Sequence, residues 1–81
     1  MEQLELDYNK LLYDISIDAD GNKYWWLNGK HHRTDGPAVE WADGGKYWYL
    51  NDKLHRTDGP AVEWSDGTKE WCLNGKQVKP F

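Results

Sequence analysis

At 81 residues the chain is one small domain with room for only a thin core. Its six tryptophans and five tyrosines supply the large buried areas, and its net charge of −4 counts against a binder of phosphate backbones. A single cysteine, Cys72, excludes a disulfide framework or a cysteine-rich metal site and predicts a reduced, cytoplasmic setting.

The first twenty residues hold most of the acid: Glu2, Glu5, Asp7, Asp14, Asp18 and Asp20 against Lys10 alone. The remainder is nearly neutral, so an acidic head could steer a basic partner or the lysine-bearing tail of a second copy. No apolar run of signal-peptide or membrane-spanning length is present. Leu4, Tyr8, Leu11 and Ile15 fall at helical spacing, whereas Leu4/Leu6 and Ile15/Ile17 alternate as in strands. Laying Asn9-Lys10-Leu11 on Asp52-Lys53-Leu54 makes residues 1–19 a shortened, degenerate repeat. A β-type cap is therefore expected there, with a short helix over residues 2–12 as the alternative.

From residue 20 the chain repeats itself every 23 residues. Asp20-Gly21, Asp43-Gly44 and Asp66-Gly67 fall in register, as do Trp25, Trp48 and Trp71, then Asn28, Asn51 and Asn74. The boundaries are 20–42, 43–65 and a truncated third copy, 66–81, all within one domain. Each copy opens on an aromatic strand such as Lys46–Leu50, followed by Asn-Gly or Asn-Asp, which predicts a tight hairpin. The return arm is interrupted by Thr-Asp-Gly-Pro, where a bend or bulge is expected. The fold class is thus all-β, an antiparallel meander of tandem hairpin repeats. Alternation puts Trp25, Trp48, Trp71 and the leucines two residues later on one face, expected to be packed, with Val39/Trp41 and Val62/Trp64 filling it. The opposite face, Tyr24/Trp26, then Tyr47/Tyr49, then Glu70/Cys72, varies between copies and is expected to make contacts.

The spacing Asn-Gly-Lys-x-His, carried by Gly29, Lys30 and His32 and by Lys53 and His55, with Asp43-Gly44 and Asp66-Gly67, resembles the MORN repeat over residues 20–81. Arg33 and Arg56 stand where that family has glycine, and Leu-His-Arg-Thr-Asp-Gly-Pro-Ala is similar to a MORN-like variant of small phage and bacterial proteins. The resemblance implies an elongated β-meander scaffold that binds proteins and often dimerises, with no shared catalytic residue.

Two groups of residues are candidates for binding. Tyr24, Trp26, Tyr47 and Tyr49 form the variable aromatic face, suited to a host or cellular protein as a phage-type inhibitor would engage it. His32-Arg33 and His55-Arg56 could hold a small anionic molecule, such as a nucleotide signal, against aromatic walls. The bland alternatives are that the arginines brace their own turns against Asp35/Asp58 or Glu40/Glu63, and that the whole chain is an oligomerisation repeat. Equivalent histidines in successive hairpins would lie about 10 Å apart, too far for one metal, so neither metal nor cofactor is expected. His55 and Asp58 lack a nucleophile with any motif around it, so enzyme activity is not expected. Nucleic acid is disfavoured by charge, and a membrane by the lack of a basic amphipathic face. The half-finished third hairpin exposes an edge, which predicts a homo-oligomer, most simply a dimer.

Overall fold

The computed structural model describes residues 13–79, and every regular element among them is a β-strand. The strands are β1 (Tyr13–Ile17), β2 (Lys23–Leu27), β3 (Lys30–His31), β4 (Val39–Glu40), β5 (Lys46–Tyr47), β6 (Tyr49–Leu50), β7 (Lys53–Leu54), β8 (Val62–Glu63), β9 (Lys69–Leu73) and β10 (Lys76–Val78). They form an antiparallel meander in the order β1-β2-β4-β5-β8-β9-β10, with β3 also on β2 and β6 paired with β7. The fold is all-β, as expected. No described helix is long and apolar enough to cross a membrane. Of the expected cap over residues 1–19, the described part forms β1, which pairs along its whole length with β2; the rest, with the helix alternative for residues 2–12, lies outside the described residues.

Three hairpin tips follow from asparagine. Asn28 and Gly29 have φ of 53° and 80°, Asn74 and Gly75 of 52° and 83°. Two consecutive positive φ values match the right-handed twist of the flanking strands. The middle tip reaches the same conformation with Asn51 at 53° and Asp52 at 68°, a position where an aspartate is held at a cost that glycine avoids.

Each complete return arm breaks in two. In the first, β3 ends at His31 and β4 begins at Val39, and the backbone of Trp25 holds both feet of the excursion between them. The Trp25 N–H donates to the Ala38 carbonyl at 2.7 Å, and the Trp25 carbonyl accepts from His32 N–H at 3.2 Å. One repeat later, Trp48 N–H donates to Ala61 at 2.7 Å and the Trp48 carbonyl accepts from His55 N–H at 3.0 Å. The bend expected at Thr-Asp-Gly-Pro is this looped excursion.

Register corrects the assignment of faces. Tyr24 lies opposite Val39, Val39 opposite Tyr47, Tyr47 opposite Val62, and Val62 opposite Glu70. Residues directly opposed in an antiparallel pair share a face, so Val39 and Val62 belong with the tyrosines and not with Trp25 and Trp48. Trp41, whose ring meets those of Tyr24 and Tyr47, is on that face too. The other face carries the row Lys23, Glu40, Lys46, Glu63, Lys69, in which every cross-strand neighbour has the opposite charge. Such pairs contribute roughly 0.2–1 kcal/mol each.

The buried set is correspondingly two-faced: Ala38 and Ala61, Val39 and Val62, Trp25 and Cys72. Trp48, Leu50 and Trp64, expected in the core, are half-buried, and Leu73 is exposed. Small side chains lie deepest because a single-layer sheet has its densest packing next to its own backbone, where Ala and Val fit between flanking aromatics.

Candidate binding face

The excursions of the two return arms are built alike. Arg33 lays its guanidinium over the Trp25 ring at 3.9 Å, donates from Nε to Asp35 at 2.9 Å, and donates from Nη1 to the Pro37 carbonyl at 3.1 Å and Glu40 at 3.4 Å. Arg56 does the same over Trp48 at 3.9 Å, with Asp58 at 3.0 Å, Pro60 at 3.1 Å and Glu63 at 3.4 Å. A cation over indole is worth about 0.5–2 kcal/mol, more where water is excluded. Gly36 and Gly59, neither of which has a positive φ, leave the room that this brace occupies. A Cβ on Gly36 would fall 2.8 Å from the Arg33 Cζ, and on Gly59 2.7 Å from that of Arg56.

The histidines stitch one repeat to the next. His32 Nδ1 accepts from Asn51 N–H at 3.0 Å, and His55 Nδ1 from Asn74 N–H at 2.9 Å. An accepting Nδ1 fixes the tautomer with the proton on Nε2. Beside them, Arg33 N–H donates to the Tyr49 carbonyl at 3.1 Å and Arg56 N–H to that of Cys72 at 3.2 Å. His32, Arg33, His55 and Arg56 are thus each engaged in intramolecular contacts that recur with the 23-residue period.

Tyr24, Trp26, Tyr47 and Tyr49, by contrast, come together on one face, joined by two residues that the alternation pattern did not place there. His31 stacks on Trp26 at 4.1 Å between centroids and on Tyr49 at 5.1 Å. Tyr49 meets Tyr47 at 6.2 Å, Tyr47 meets Trp41 edge-on at 5.5 Å, Trp41 meets Tyr24 edge-on at 6.1 Å, and Tyr24 returns to Trp26 at 6.2 Å. Six rings therefore close a circuit, and Val39, opposed to both Tyr24 and Tyr47, lies buried among them.

The rim of the circuit is pinned by polar contacts. Trp26 Nε1 donates to Ser16 at 3.1 Å, and the Tyr24 hydroxyl donates to Asp18 at 2.9 Å. Asp18 also accepts from the Asn22 side chain, which does most to hold its carboxyl below the usual range, while the same carboxylate pushes the Tyr24 phenol up. Burial raises the Tyr49 phenol. Asp52 accepts from His31 N–H at 2.7 Å and lies 3.1 Å from its Nδ1. Those contacts, the backbone one first, lower the Asp52 carboxyl and fix the orientation of the stacked ring. The strained turn position of Asp52 thereby gains a partner that Gly29 and Gly75 could not supply.

Two signals in the sequence point to this cell. Asp52 breaks the Asn-Gly rule, and Gly45 replaces the Thr68 of the next copy. A Cβ on Gly45 would come 3.2 Å from Trp41 Cδ1, so glycine lets that indole lie flat against the turn.

Between the two excursions runs a groove of about 450 Å³ with a mixed lining, formed by Arg33, Thr34, Trp48, His55, Arg56 and neighbouring turn residues. One repeat on, the groove over Trp71 and Leu73 is more apolar, about 800 Å³, and ends at Val78 and Lys79. Among the described residues no group of three His, Cys, Asp or Glu side chains is placed to hold a metal ion. Comparison with family models, curated proteins and solved structures finds no match.

Proposed function

We propose that this chain is a non-enzymatic, MORN-like binding module that engages a protein partner through the aromatic face. The observation that carries this reading is the contrast between the two faces. The Arg-over-Trp brace is reproduced almost atom for atom in both complete repeats, as structural parts are. The six-ring circuit exists in one place only among the described residues, is half-exposed, and includes aromatic types enriched at protein interfaces. The decisive experiment is capture from a natural extract with the wild-type chain and with the Trp26→Ala, Tyr49→Ala double variant, checked for folding by circular dichroism. A partner retained by the first and lost by the folded second supports the reading; equal retention by both overturns it.

The groove between the excursions supports a second reading, a small anionic ligand held by Arg33 and Arg56. It is the weaker one, because each guanidinium already faces two carboxylates and a carbonyl, which leaves little charge for a ligand. Native mass spectrometry of lysate-exposed protein decides it through the presence or absence of added mass. Homo-oligomerisation is supported by the two ends of the sheet among the described residues, β1 with exposed Ile15 and Ile17 and β10 with Val78. Sedimentation at micromolar concentration should show a species heavier than the 9.5 kDa chain.

A further inference from the structure

Register sorts charge as well as aromatics. Lys23, Lys30, Lys46, Lys53, Lys69 and Lys76 occupy strand positions whose partners are Ile17, Leu27, Glu40, Leu50, Glu63 and Leu73, which places all of them on the Trp25 face. Arg33 and Arg56 lie over Trp25 and Trp48 on that same face. Among the described residues, the strand positions of the aromatic face include no lysine or arginine. Their formal charges are Asp14, opposite Trp26, and Glu70, at the end of the row that runs through Tyr24 and Tyr47. Asp18 and Asp52 stand at the margin, each bonded to a ring residue.

An aromatic platform presents the negative lobes of its quadrupoles, and here Asp14 and Glu70 lie on the same face, with Asp18 and Asp52 at its margin. On the opposite face the same chain shows what such rings take: a guanidinium at 3.9 Å from Trp25 and the Lys23 ammonium at 4.7 Å from it. We infer that the aromatic face receives a basic segment of its partner, whose arginine or lysine heads stack on the Trp26, Tyr47 and Tyr49 rings within reach of Asp14 and Glu70. This rests on the proposed role of the aromatic face and adds the chemistry of what binds there. A neutral polyproline segment would leave the carboxylates without counter-charge, and an acidic one would be repelled.

The test uses three synthetic peptides of equal length: an Arg/Lys-Gly-Ser sequence, its Glu-Gly-Ser counterpart, and a neutral proline-rich sequence. Each is titrated by tryptophan fluorescence and calorimetry against the full chain. The basic peptide should bind at least about tenfold more tightly than the other two, and should weaken as salt rises through the range where the Debye length shrinks to about 8 Å. Trp26→Ala should abolish its binding. Asp14→Asn with Glu70→Gln, which touches no bond of the fold, should weaken it several-fold, while Asp20→Asn should leave it unchanged. Equal binding of all three peptides, preference for the proline-rich or acidic one, equal losses in the Asp20 variant and the Asp14/Glu70 variant, or no binding at all would overturn the basic-segment inference. The aromatic face would still stand as a protein-binding face if Trp26→Ala with Tyr49→Ala loses a captured partner, so the two failures are separable.

Discussion

The aromatic cell between the first and second repeats and its counterpart between the second and third have the same floor and different walls. Val39 and Val62, both 2% exposed, are the floors. Around Val39 stand Tyr24, Trp26, His31, Trp41, Tyr47 and Tyr49; the equivalents around Val62 are Tyr47, Tyr49, Leu54, Trp64, Glu70 and Cys72. On the reverse face nothing comparable changes: the Arg33 and Arg56 braces agree to within about 0.1 Å in every donor distance. One face of this sheet is held constant by what folding needs. The other, relieved of that requirement once its valine is buried, differs from cell to cell.

The most damaging way to probe the shared part is Trp25→Ala. Trp25 is 7% exposed and its ring carries the Arg33 guanidinium, so its removal should cost about 3–5 kcal/mol and leave no cooperative melt in so small a domain. Val39→Ala and Val62→Ala should each cost about 2 kcal/mol, and equally. A marked inequality in chemical denaturation would mean that the walls, and not the floor, set the stability of each cell. Arg33→Ala and Arg56→Ala should each lower the melting temperature by several degrees, from about 1 kcal/mol, with binding intact and only partial recovery in the lysine variants. Loss of binding without loss of stability would instead assign the arginines to the groove ligand.

Asp52→Gly sharpens the contrast from the other side. Relief at a φ of 68° and the loss of the His31 contacts oppose each other, so stability should change by less than about 1 kcal/mol, whereas partner affinity should fall because the stacked ring is no longer fixed. The smallest effect is that of pH. Asp18 and Asp52 titrate below their ordinary value of 3.8 in the folded chain, so the stability they add is complete above that value and is lost as pH falls through the lowered folded ones. Thermal melts should be flat across neutral pH and fall below about pH 4, less steeply in Asp52→Gly.

Much of this was legible before any tertiary information. The 23-residue period, the positive-φ tips at Asn-Gly, and the break at Thr-Asp-Gly-Pro are local signals with local physical causes, and each appears where the residues put it. Tyr24, Trp26, Tyr47 and Tyr49 were identifiable as one face because alternation holds within a strand. His31 and Trp41 were not, because they reach that face from different strands, and nothing in a strand's own pattern fixes its parity against a neighbour. His32 and His55, invariant in the repeat, were ambiguous for the same reason: their acceptor role depends on which turn N–H lies across the seam.

By itself, then, the sequence determined an all-β chain of tandem hairpins, since turn chemistry and period-two patterning act within a few residues. Only the tertiary structure decided how those hairpins are phased against one another. The excursions at residues 32–38 and 55–61 remove chain from the ladder, and the register of β4 and β8 after each excursion sets which side chains share a face. That phasing buries Val39 among six aromatic rings and sends every lysine of the described strands to the opposite side.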